Sequence, residues 1–262
     1  MADLFHKQAK DYAETRPTYP QEFFNFIVSK VPSSDLAWDV GTGSGQAVAT
    51  LSAIYKNVVA TDTSQKQLDY APKFPNVRYV CTPAVISAAA IERDVAAPMT
   101  VDLVTVAQAL HWFDLPNFYQ HVKTVLKKPH GVIAAWCYTT PQVNDVVDSV
   151  FLPFYTDSRP YWDVARKLVD DKYRNVDFPF EPVDGEVDTG PFEFKTQRLM
   201  SLDDYFTYIR SWSAYGTAKD QGVDLLNEEV SQAFKQAWIG DGEEQKKLVV
   251  FPLHLRIGKL GN

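Results

Sequence analysis

Between residues 36 and 138 the chain alternates short apolar runs with longer stretches of mixed polarity. The runs are Leu36–Val40, Asn57–Thr61, Val77–Cys81, Val101–Ala107 and Gly131–Cys137. Several are apolar at nearly every position, as strands buried on both faces must be. Between them Gln46–Tyr55, Ser64–Ala71, Pro83–Glu92 and Leu115–Leu126 read as crossover helices. Repeated β-α-β units of this kind predict an α/β fold, a doubly wound and mostly parallel sheet with helices on both faces.

The remainder wraps this core as part of a single domain, 1–262. Residues 1–32 form an N-terminal cap, with Phe23, Phe24, Ile27 and Val28 suited to one buried helix face. Residues 33–140 are the core itself. Residues 141–190, rich in Pro, Asp and aromatics, read as an inserted helical and aromatic lid. Residues 191–262 return to the strand-like Phe192–Leu199 and Leu248–Ile257, which predict an antiparallel sheet edge, with helices between them. There Tyr205, Tyr208, Trp212 and Tyr215 recur at three- and four-residue steps and are expected on one helix face.

Composition narrows the partners. A formal charge of −7, with no basic cluster beyond Lys127-Lys128, argues against a nucleic-acid backbone. No apolar run approaches a bilayer-crossing length, and the first residues lack the order of a secretory signal, so a cytoplasmic protein away from membranes is expected. Cys81 and Cys137 both lie in apolar runs and read as buried reduced thiols. The five histidines show no paired ligand spacing, and no metal is expected.

The strongest local signal is Asp39-Val40-Gly41-Thr42-Gly43-Ser44-Gly45, a strand running into three alternate glycines before a helix. Glycine lets the backbone turn tightly and approach a ligand closely, and a helix start adds N–H donors. A dinucleotide loop would need Gly or Ala where Gln46 stands. Asp39 would repel a pyrophosphate and attract an ammonium group. Asp62, at the end of the second strand, suits ribose hydroxyls. A nicotinamide oxidoreductase is the rival that shares this carboxylate. A cofactor-binding scaffold and an enzyme of different chemistry on the same fold are the others.

These residues resemble the class I S-adenosylmethionine-dependent methyltransferases, in the small-molecule branch that includes trans-aconitate methyltransferases and their plant and fungal relatives. The segments carrying the resemblance are Asp39–Gly45, Asp62, Val101–Phe113, Tyr12–Pro20 and Tyr208–Tyr215. Ala84-Val85 departs from the Ala-Glu often found after the third strand. The resemblance implies a Rossmann-like sheet of seven strands and S-adenosylmethionine as cofactor, leaving as S-adenosylhomocysteine. It implies cofactor contacts from Tyr12, Arg16, Asp39, Gly41, Gly43, Gly45, Asp62, Thr63, Ala84, Ala107 and Gln108. It implies a small-molecule acceptor bounded by Tyr19, His111, Trp112, Phe154, Arg210, Trp212 and Tyr215. Arg210 and Arg16 are also surface ion-pair candidates, and the aromatics are equally core candidates. His111 stands open between base, positioning group and loop anchor. An arginine in the pocket would favour carboxylate O-methylation by in-line displacement; His111 facing the acceptor would favour a phenol or amine. A monomer or homodimer is expected.

Overall fold

A computed structural model describes residues 17–240 and 246–261. Its strands are β1 Leu36–Val40, β2 Asn57–Asp62, β3 Val77–Cys81, β4 Leu103–Ala107, β5 Val132–Tyr138, β6 Phe192–Met200 and β7 Lys247–Lys259. They form one sheet in the order β3-β2-β1-β4-β5-β7-β6. The first five run parallel, whereas β7 pairs antiparallel with both β5 and β6. This is the mostly parallel, Rossmann-like sheet with an antiparallel edge that the apolar pattern and the resemblance implied. Chain order reverses between β1 and β4, and open α/β sheets place ligands at the carboxyl ends beside such a reversal.

The helices are α1 Gln21–Ser29, α2 Val48–Ile54, α3 Gln65–Tyr70, α4 Ala88–Asp94, α5 Leu115–Val125, α6 Asp145–Asp157, α7 Arg166–Asp170, α8 Leu202–Arg210, α9 Ser213–Asp220 and α10 Glu228–Ile239. β5 shows how they cover the sheet. All seven of its residues are buried. Val132, Ala134, Trp136 and Tyr138 face one apolar layer with α1, α2, α6 and α8. Ile133, Ala135 and Cys137 face the other, with α4 and α5. Two-residue alternation with both faces apolar is what a central strand requires. Trp136 anchors the first layer, its ring 5.1 Å from Phe23 and 5.2 Å from Tyr19.

Three local expectations are corrected. Cys81 is exposed, because β3 is the outermost strand and lacks a neighbour on one side; Cys137 is buried. The helix expected from Pro83 starts at Ala88, where Ser87 accepts a hydrogen bond from Ala90 N, which leaves 83–86 as loop. The single aromatic helix is two: α8 stops at Arg210, Ser211 Oγ turns back to donate to Tyr208 O, and Trp212 is extended before α9. Tyr205, Tyr208, Trp212 and Tyr215 are nevertheless all buried. Among the described residues no helix is long and apolar enough to cross a membrane.

Candidate active site

The glycine loop leaves β1 in left-handed conformation, with φ of +66° at Gly41 and +58° at Gly43. A Cβ at Gly41 would stand 2.7 Å from Ala109 Cβ, so the loop lies directly against the turn that follows β4. Asp62 fastens the loop from the next strand. Its Oδ2 accepts from Gly43 N and its Oδ1 from Ser64 N, each at 2.8 Å. Burial pushes its carboxyl pKa up, and the backbone N–H bonds oppose that. Asp39 sits beneath the loop, fully buried, accepting from Thr105 Oγ1 and Thr42 Oγ1 at 2.6 Å each. Burial raises it to about 6 against those two hydroxyl bonds, with the Asp62 charge adding to the rise.

In front of the loop lies a cavity of about 610 Å³, within the usual range for small-molecule sites. Gly41, Gly43, Asp62, Thr63, Ala84, Ala107, Gln108 and Trp112 line it, together with Gln67, Phe113, Asn117 and His121. Two of these bring buried polar atoms with no protein partner, Gln67 Oε1 and His121 Nε2. Buried polar groups are rarely left unpaired, so each is a ready contact for a polar ligand. Gln108 is left-handed at φ 55°, and its side-chain amide is already used. Its Oε1 accepts from Tyr138 N at 2.7 Å and its Nε2 donates to Tyr138 O at 3.2 Å, tying the ends of β4 and β5 together. Strained backbone of this kind clusters at ligand sites.

The turn Leu110–Trp112 carries the cavity edge outward. His111 Nδ1 lies 2.9 Å from the Tyr173 hydroxyl, and its ring is 4.6 Å from Trp112. Burial, and then the Arg166 charge, lowers His111 to about 3, so the imidazole is neutral. Helix α7 packs against this turn and brings Arg166. The Arg166 guanidinium lies 4.5 Å from the Trp162 ring centre and 5.8 Å from that of Tyr155. Trp162, Phe154, Tyr155 and Tyr208 in turn pack around Trp212 at 5.3–5.9 Å.

A family model described as a methyltransferase domain matches residues 38–135. A Dictyostelium discoideum protein named as a candidate methyltransferase is 32% identical over 263 residues, covering 98% of this chain and 95% of its own. The chain belongs to the class I S-adenosylmethionine-dependent methyltransferases. A Saccharomyces cerevisiae protein whose name gives it that same cofactor dependence is 25% identical over 233 residues, 79% of each chain. A solved structure described as a candidate type II methyltransferase from Anaeromyxobacter dehalogenans superposes with a TM-score of 0.78 at 30% identity. It covers 94% of this chain and 99% of its own.

The methyltransferase thus gathers most of the expected cofactor residues on one cavity. Asp39 and Gly45 lie behind it: Asp39 is engaged by two threonines, and a Cβ at Gly45 would meet Pro72 and Ala71. Tyr12 and Arg16 lie outside the described residues. Of the expected acceptor residues, Trp112 lines the cavity, His111 adjoins it in the same turn, and Phe154 and Trp212 lie in the aromatic cluster. Tyr19 packs on Trp136. Arg210 is exposed and hydrogen-bonds Tyr215, whose hydroxyl donates to Asp224 Oδ1 at 2.8 Å, so neither reaches the cavity wall. Sequence reasoning missed Gln67, His121 and Arg166. Gln67 carried a faint signal as a polar residue beside Leu68 on a short helix packed against the sheet. Arg166, in a segment of mixed charge, carried none. Among the described residues no group of three or more His, Cys, Asp or Glu is placed to hold a metal ion.

Proposed function

We propose that this methyltransferase transfers the cofactor's methyl group to a carboxylate of a small-molecule acid. The observation that carries the reading is the state of His111. Held against Tyr173 and lowered to about 3, it is a poor proton acceptor at neutral pH. A phenol or ammonium acceptor must lose a proton, whereas a carboxylate is already ionised. The similarity of Val101–Phe113 to trans-aconitate methyltransferases supports the same reading.

The cavity's donor and acceptor set suits the cofactor. Asp62 and Gln67 would hold its ribose and base, and the backbone at Gly41 and Gly43 its amino-acid part. When bound, S-adenosylmethionine would supply an electrophilic methyl group and would leave as S-adenosylhomocysteine, and with an acceptor already ionised the protein's residues would have no proton to move. The protein's part is alignment in a dry chamber, which can be worth roughly 7–11 kcal/mol. Trp112 and Phe113 supply apolar walls, and Gln108 fixes the strand ends that carry them.

The test is methyl transfer from labelled S-adenosylmethionine to benzoate, cinnamate and succinate, against phenol and amine controls. Methyl esters release labelled methanol in alkali; ethers and methylamines do not. Alkali-labile product supports the reading. Only stable product would refute it and return His111 to the role of base, in which case His111→Ala should abolish turnover. Calorimetric titration with S-adenosylhomocysteine, lost in Asp62→Ala, checks the cavity separately.

A further inference from the structure

The structure assigns Arg166 as the group that binds the acceptor's anionic end, an inference that rests on the carboxylate reading above. Arg166 makes one ion pair, through Nε to Asp170 on the next helical turn, and is otherwise largely shielded from solvent. Its side chain is 14% exposed, and its planar group is layered on Trp162 and within reach of Tyr155. Its Nε alone is committed, donating to Tyr155 Oη and to Asp170 Oδ1 at 3.1 Å each. None of the hydrogen bonds among the described residues uses its two terminal nitrogens. Those nitrogens form the planar fork that matches a carboxylate.

The partner already present does not cancel that capacity. Asp170 meets the guanidinium on the Nε edge and is 41% exposed, so water screens it. Tyr155 Oη, held also by Asp170 at 2.7 Å, fixes the Nε edge and so sets the direction of the fork. Trp162 and Tyr155 restrain the plane, which lowers the ordering cost of binding.

Arg166 opens α7, which packs on the turn Leu110–Trp112, and the same turn contributes Trp112 to the cofactor cavity. Arg166 itself does not line that cavity. An acid seated on its fork would therefore lie beside Trp162 and apart from the cofactor's own contacts. Stacked aromatic walls around a cation favour a flat, unsaturated or aromatic acid over a branched aliphatic one.

The experiment compares Arg166→Gln, Arg166→Lys and the unaltered chain, using cinnamate and benzoate as acceptors. Calorimetric binding of cinnamate in the presence of S-adenosylhomocysteine serves as a second readout. Arg166→Gln should raise KM and the cinnamate Kd by about 10- to 100-fold, the range of a lost charge-assisted pair. The turnover number should change far less. Arg166→Lys should recover part of the loss by charge without the fork. S-adenosylhomocysteine affinity should be unchanged in both variants, which shows that each is folded. An Arg166→Gln protein with unaltered KM and Kd for cinnamate would overturn the assignment while leaving carboxylate methylation standing. An unaltered chain that methylates only phenols or amines would overturn both.

Discussion

Substituting Gly41 by Ala tests whether the loop's contact with the Ala109 turn shapes the cavity. The residue has φ +66°, and its new Cβ would meet Ala109 Cβ at 2.7 Å and Phe113 Cζ at 3.4 Å. A Cβ in left-handed backbone costs about 1–2 kcal/mol. Forcing two side-chain carbons apart in a packed site adds about 1–3 kcal/mol. Gly222 supplies the control, since its φ is +79° and a Cβ there meets nothing within 4 Å. Gly222→Ala should therefore lose only the backbone part, about 1–2 kcal/mol. In a chain this long each kcal/mol moves Tm by about 2–4 °C. Gly41→Ala should fall by about 10 °C and Gly222→Ala by about 4 °C in thermal melts. Because Ala109 and Phe113 line the cavity, Gly41→Ala should also weaken S-adenosylhomocysteine at least about tenfold, or about 1.4 kcal/mol, with Gly222→Ala unaffected. Equal melting losses and equal affinities in the two variants would refute the packing argument.

Gln67→Leu should raise the melting temperature of the ligand-free protein, because it removes a buried acceptor without a partner, yet weaken S-adenosylhomocysteine about 2- to 10-fold in calorimetry. Trp136→Ala, emptying the anchor of one apolar layer, should cost about 3–5 kcal/mol in urea unfolding. Stability should also fall with acid. His111 and His254 are neutral in the fold, with pKa values lowered by burial to about 3 and about 4. The unfolded chain protonates both below about 6.5, so stability is lost as pH drops through that value, by about 1.4 kcal/mol each at pH 5.5. Asp39, raised to about 6, binds its proton first in the fold and offsets about 0.8 kcal/mol of this. Urea unfolding at pH 5.5 should thus give about 2 kcal/mol less than at pH 7.5; equal values would contradict the burial of the two imidazoles.

What the sequence made legible was whatever short-range pattern encodes. β1 falls on its apolar run and β5 is displaced by one residue, because central strands must be apolar on both faces; β3, at the sheet edge, also falls on its run. The glycine loop was legible because left-handed backbone and close approach demand that residue type. The start of α4 was not, since Pro83 suits either a first helical turn or a loop, and tertiary contact with the cavity decided. The break at Trp212 escaped because apolar spacing continues across it. Gln67 and His121 escaped because they meet the cavity only through segments distant in sequence; Arg166 escaped because its neighbours Trp162 and Asp170, four residues to either side, read as ordinary surface partners.

The arrangement of β7 governs how this protein reaches its fold. Residues Leu253–Lys259 pair with β5, and the stretch from Lys247 to Leu255 pairs with β6. More than a hundred residues separate the end of β5 from the start of β7. During synthesis, one edge of the wholly apolar β5 stands open while that intervening chain emerges. Such an edge is a template for pairing with another molecule, and pairing across so long a loop is intrinsically slow. Refolding at rising protein concentration should therefore lose yield to intermolecular association, in competition with the docking of the antiparallel β6–β7 pair.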